Sequence, residues 1–124
     1  MQSQSSTQPP ALLPDCAKIL VAEDPFVSSF LRTILQRHGH AVVVGDAARV
    51  SDLLRRDSVA PAVVITNRPE AFVEFAGSIH LLYIAATPDF HLASQFSTCR
   101  VLSKPFRNDE LLEAVDGLAH SVVP

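Results

Sequence analysis

The chain has 124 residues, 48% of them hydrophobic, and a formal net charge of -3. That length supports one domain with its own core. The charge leaves no basic footprint for nucleic acid or an anionic membrane surface, and no apolar run is long enough to span a bilayer.

Residues 1–14 read as a flexible polar leader ended by Pro14, ahead of a single domain over 15–124. The first ten residues hold three Gln and three Ser and no apolar h-region, so they do not read as a secretory signal. The expected location is the cytoplasm. The two cysteines, Cys16 and Cys99, have neither a CxxC spacing nor a disulfide framework and are expected to stay reduced.

Short apolar runs at 18–22, 41–44, 61–66, 79–85 and 100–102 are bounded by turn residues, as strands buried on both faces should be. Helical patterns lie between them. Pro25 suits the first position of a helix whose apolar stripe is Phe26, Val27, Phe30, Leu31, Ile34 and Leu35, with Gly39 as its C-terminal cap. Asp46 can cap a second helix carrying Val50, Leu53 and Leu54. Residues 68–77 leave room for only a turn or two of a third helix, since a crossover needs about 10–12 residues. A short fourth helix fits around Phe90–Phe96, and a fifth begins near Asn108 with the stripe Leu111, Leu112, Val115, Leu118, Ala119 and Val122.

Five βα units in succession imply an α/β fold: a three-layer, doubly wound, five-stranded parallel sheet of order 2-1-3-4-5, flavodoxin-like, with a shortened third helix. Ligands of such sheets sit beyond the carboxyl ends of the strands, where the winding reverses between strands 1 and 3. At that edge this order brings together Glu23 and Asp24 after strand 1, Asn67 after strand 3, Ala85 and Thr87 at the end of strand 4, and Lys104 after strand 5. The same order puts the residues before strands 1 and 5 about 14 Å apart, too far for Cys16 and Cys99 to pair.

The segments "KILVAED", "VVITN", "LLYIAAT" and "VLSKPFRNDELLEAV" resemble, in order, the strands and last helix of bacterial response-regulator receiver domains of the CheY-like kind, over roughly residues 17–120. The resemblance implies two-component phosphorelay signalling rather than enzyme action on an outside substrate. It implies that Glu23 and Asp24 hold Mg²⁺ through oxygen ligands and that Lys104 neutralises a phosphoryl group. It also exposes departures. Asn67 stands where the phosphoacceptor Asp belongs, Ala85 where a Ser or Thr belongs, and Val101 where the switch aromatic belongs. A neutral amide oxygen is no phosphoryl acceptor. The pattern is that of a pseudo-receiver: any Mg²⁺ binding is expected to be weak, and the action to run through protein contacts.

Three readings stay open at this point. The alternatives to the pseudo-receiver are a working receiver that takes phosphate on another residue, and an unrelated flavodoxin-like hydrolase or nucleotide binder. Against the last, no Gly-rich loop follows strand 1 and no Ser-His-Asp set is visible. Asp24 reads equally well as a simple N-cap, Asn67 as a turn residue before Pro69, and Lys104 as the salt-bridge partner of Asp24. Thr87 is a candidate replacement for the missing hydroxyl. The five histidines read as surface or boundary residues. The resemblance further implies a cis Lys104-Pro105 bond. It puts the partner surface, for a signalling protein or a second copy, on the face of the fourth helix, fifth strand and fifth helix, with Phe90, Phe96 and Phe106 as candidate exposed aromatics.

Overall fold

A computed structural model of the protein describes residues 19–56 and 63–119. The leader and Cys16 lie outside the described residues, as do His120 and Val122. In chain order the elements are β1 (Ile19–Ala22), α1 (Pro25–Arg37), β2 (Val42–Val44), α2 (Ala47–Arg56), β3 (Val63–Thr66), a 3₁₀ segment (Pro69–Phe75), β4 (His80–Ala85), α3 (Phe90–Ala93), β5 (Thr98–Ser103) and α4 (Asn108–Ala119). The expected third helix is the 3₁₀ segment, so the expected fourth and fifth helices are α3 and α4.

All five strands are parallel, in the order β2-β1-β3-β4-β5. Because side chains alternate across a strand, each central strand feeds two cores. Ile19, Val21, Val63, Ile65, Leu82 and Ile84 point to one face, where Leu31 and Leu35 of α1 and Leu111, Val115 and Leu118 of α4 cover them. Leu20, Val64, Leu81 and Tyr83 point to the other, under Val50 and Leu54 of α2, Phe72 of the 3₁₀ segment and Phe96. Each fully buried aliphatic side chain contributes about 1.5–3 kcal/mol, which is why these strands are apolar on both faces.

The helix termini follow the sequence signals. After α1 the His40 N–H donates to the Leu35 carbonyl (3.1 Å) and the Gly39 N–H to that of Gln36 (3.0 Å), a Schellman closure that needs the positive φ of 86° at Gly39. At α4 the Glu110 carboxylate reaches back to accept from the Arg107 N–H at 2.8 Å. β5 runs two residues earlier than its apolar core suggests, because Thr98 and Cys99 pair with His80 and Leu81. Cys99 is a free, half-buried thiol whose pKa burial pushes up.

One expectation fails on α1. The centre of its buried face is Ser28, Leu31 and Leu35, with Val27 and Ile34 at the border. At about 100° per residue, Phe26 falls nearly opposite that centre, and Phe30 well off it. Phe26 is 85% exposed and Phe30 43% exposed. The apolar stripe is wider than the sheet can cover, and the small residue Ser28, not a phenylalanine, makes the close approach.

Candidate functional site

The carboxyl edge is built around β1 and β3. Their register pairs Ala22 with Thr66, so both strands end level. Thr66 is buried, and its hydroxyl donates to the Ala22 carbonyl at 2.9 Å and accepts from the Arg68 N–H at 3.0 Å. This threonine straps the two strand ends together and turns the chain outward. It was not among the expected site residues, although a polar residue ending an apolar strand was its signal. Asn67, next in line, is exposed, and its side chain bonds to none of the described residues.

On the β1 side, Asp24 is the N-cap of α1, where its Oδ1 accepts from the Val27 N–H at 3.0 Å. The capping reading of Asp24 is therefore realised. Ser28 anchors the same turn, its Oγ donating to the Glu23 carbonyl at 3.1 Å. Glu23 differs from every other carboxylate among the described residues. Both its oxygens are buried without a hydrogen-bond partner. Desolvation raises its pKa, while Lys104 pulls it back down. The expected Lys104–Asp24 salt bridge is not formed. Among the described residues no ion pair within 4.0 Å joins Lys104 to either acid, so the lysine acts on Glu23 at longer range.

The remaining members arrive from β4 and β5. The Lys104 N–H donates to the Ala85 carbonyl at 3.0 Å, joining the ends of these strands, and the Lys104-Pro105 bond is cis. Ala85 is half-buried and Thr87 exposed. Val101 is half-buried and pairs in register with Tyr83 on β4. Tyr83 is the large ring at this level of the sheet. It is buried, and its hydroxyl accepts from the Asp89 N–H at 3.0 Å, while Asp89 itself caps α3 through Leu92. The β4–α3 loop is thus tied to the sheet through a tyrosine that the sequence reading left unassigned.

Arranged this way, five parallel strands with paired acids after the first and a lysine after the fifth describe one architecture. The chain has a receiver fold. Its backbone superposes on the signal receiver domain of an HD domain-containing protein from Pseudomonas fluorescens Pf-5 with a TM-score of 0.68, at 18% identity, over 88% of this chain and 90% of that one. It is also similar to the Vibrio cholerae chemotaxis protein CheY4, with a TM-score of 0.63 at 16% identity over 82% and 98% of the two chains. No family model and no curated protein matches the sequence.

No group of three or more His, Cys, Asp or Glu that could hold a metal stands among the described residues. Both Glu23 oxygens lack a hydrogen-bond partner, and Asp24 has already committed one oxygen to α1.

Proposed function

We infer that the chain is a signalling module of the receiver kind that does not accept a phosphoryl group at the end of β3 and acts by binding other proteins. One observation carries this reading. Asn67, the residue that β3 delivers beyond its Thr66 strap, is neutral and uncharged oxygen is a poor nucleophile toward phosphorus. Two features agree with it. Ala85 and Val101 offer neither a hydroxyl to bond a phosphoryl group nor a ring to move, and Tyr83 holds the β4–α3 loop from the inside.

Incubation with acetyl phosphate and Mg²⁺, followed by intact mass, tests the reading. No adduct is expected. A stoichiometric adduct mapping to Thr87 or another residue of this edge would favour the second reading, a working receiver with a displaced acceptor. The unpartnered Glu23 carboxylate and the nearby Lys104 are what keep that reading in view. Glu23, the second oxygen of Asp24 and the Asn67 amide are the groups that would hold Mg²⁺, which would supply positive charge beside a phosphoryl group; with two carboxylates the binding is weak.

The partner surface is the face of α3, β5 and α4. Of its three candidate rings, Phe90 is 65% exposed, Phe106 half-buried and Phe96 core. Phe90→Ala and Arg107→Glu are expected to weaken capture of a signalling partner while leaving the domain folded. Loss of binding on Phe26→Ala or Phe30→Ala instead would move the surface to α1. The reading includes no enzyme action on an outside substrate, a cytoplasmic location, and neither a nucleic-acid nor a membrane partner. No described helix is long and apolar enough to cross a membrane.

A further inference from the structure

β5 is an edge of the sheet. It pairs with β4 alone, and with six residues, Thr98–Ser103, it is longer than the other edge strand, β2, which has three. The Lys104 N–H donates to the Ala85 carbonyl on β4. In a parallel ladder the N–H and C=O of one residue point to the same side, and those of the next residue to the opposite side. Arg100 and Leu102 therefore face β4 as Lys104 does. The N–H and C=O groups of Cys99, Val101 and Ser103 point outward, and no strand among the described residues pairs with them.

Native edges are usually blunted by proline, by charges along the edge or by a covering element. β5 has none of these over its length. Pro105 comes only after the strand has ended. Its one charge, Arg100, is turned down onto α4, where an added Cβ at Gly117 would lie 3.1 Å from the Arg100 Cζ. α3 has four residues, about 6 Å of helix against roughly 20 Å of strand.

We propose that β5 accepts a sixth strand, an extended antiparallel segment of the partner protein that carries a basic and an acidic residue two positions apart on the side of α4. This rests on the reading that α3, β5 and α4 form the partner surface. Unpaired backbone groups at every second residue call for an extended chain, because another backbone matches them donor to acceptor. Antiparallel pairing is the more stable per residue. Charge then selects the side chains. A groove of about 310 Å³ follows the edge between β5 and α4, lined by Arg100, Val101, Leu102, Glu110, Glu113 and Ala114. Arg100 and Glu113 make no ion pair among the described residues, and Glu110 spends one oxygen on the Arg107 N–H. The residue opposite Leu102 enters this groove beside the two glutamates and is basic; the residue opposite Arg100 is acidic. Their neighbours fall on the other face, over the half-buried Cys99 and Val101, and are apolar.

The probe is the peptide acetyl-Thr-Val-Lys-Val-Glu-Val-Thr-amide, added to the full chain at low salt, with residue-resolved amide hydrogen exchange as the readout. Exchange at Cys99, Val101 and Ser103 should slow saturably, while Arg100 and Leu102, already bonded to β4, change little. That alternation marks strand addition, and a contact made by side chains alone lacks it. A peptide N-methylated at its central valine should lose binding. A peptide with lysine and glutamate exchanged should bind about fivefold more weakly, as should the wild-type peptide to Arg100→Glu. Replacing the peptide's glutamate by lysine should recover the loss on Arg100→Glu. No slowing up to millimolar peptide overturns the proposal, as does equal binding of the N-methylated or the exchanged peptide. So does the same alternation on concentrating the chain without peptide, which would give the edge to a second copy. Partner capture lost on Phe90→Ala without any alternation keeps the face and overturns the strand. Alternation with capture lost on Phe26→Ala instead supports the strand and moves the partner surface.

Discussion

The two sides of the carboxyl edge treat their polar groups differently. On the side of β3 and β4 every buried polar side chain is satisfied: Thr66 donates to one backbone group and accepts from another, and Tyr83 accepts from Asp89. On the side of β1, Glu23 is half-buried, and both its carboxylate oxygens are buried without a hydrogen-bond partner. A satisfied buried group stabilises the fold and explains itself. An unsatisfied carboxylate costs stability, because leaving water is not offset by a bond. The first side therefore spends its buried polar groups on the fold, and the second holds a carboxylate that the fold leaves without a bond.

Substitutions can break or sharpen this contrast. The largest effect is expected from Thr66→Val, which keeps shape and strand preference but strands the Ala22 carbonyl and the Arg68 N–H. A loss of about 2–3 kcal/mol in denaturant unfolding is expected; a loss near zero would mean that the strap is not structural. Next is Asn67→Asp. A third carboxylate beside Glu23 and Asp24 should tighten Mg²⁺ binding by about tenfold in a calorimetric titration. No change would mean that residue 67 does not face the acids.

Tyr83→Phe removes one hydrogen bond and should cost about 1 kcal/mol, with faster amide exchange at Asp89. The smallest effect, and the one of opposite sign, belongs to Glu23→Gln, which should raise stability at neutral pH. The sign follows from the direction of the shift. The folded state raises the Glu23 pKa above its ordinary 4.5, so between that value and the raised one the folded chain holds more protons than the unfolded chain. Stability contributed by this group falls as pH rises through that window, and the penalty is fully present above it. Glu23→Gln should flatten this slope in thermal melts taken across the acid range, whereas an unchanged slope would assign it to another group.

The same contrast explains what sequence reading could and could not reach. Asp24 was legible as a cap, since an Asp-Pro pair opening an apolar helical stripe is one by local chemistry alone. Glu23 was legible as an acid at a strand end, but its lack of partners was not, because that depends on what Lys104, far along the chain, does and does not touch. Thr66 carried a signal that was passed over in favour of Asn67. Tyr83 carried none, since an aromatic in an apolar strand is ordinary until the loop that it holds is placed beside it.

By itself the sequence determined the alternation of strands and helices, the parallel sheet and its order, and which residues reach the carboxyl edge. Those follow from side-chain periodicity, caps and the length of connections, all of which act within a few residues. The tertiary structure decided which apolar residues are covered. Phe26 and Phe30 lie on a stripe that looks like a core face, yet the sheet has room only for the arc centred on Ser28, Leu31 and Leu35. It also decided that the shortened connection, itself legible from its length, leaves a groove along α2, because what flanks a helix depends on how the elements pack. Burial is a property of what packs opposite, and a local pattern can nominate a face but cannot supply the surface that buries it.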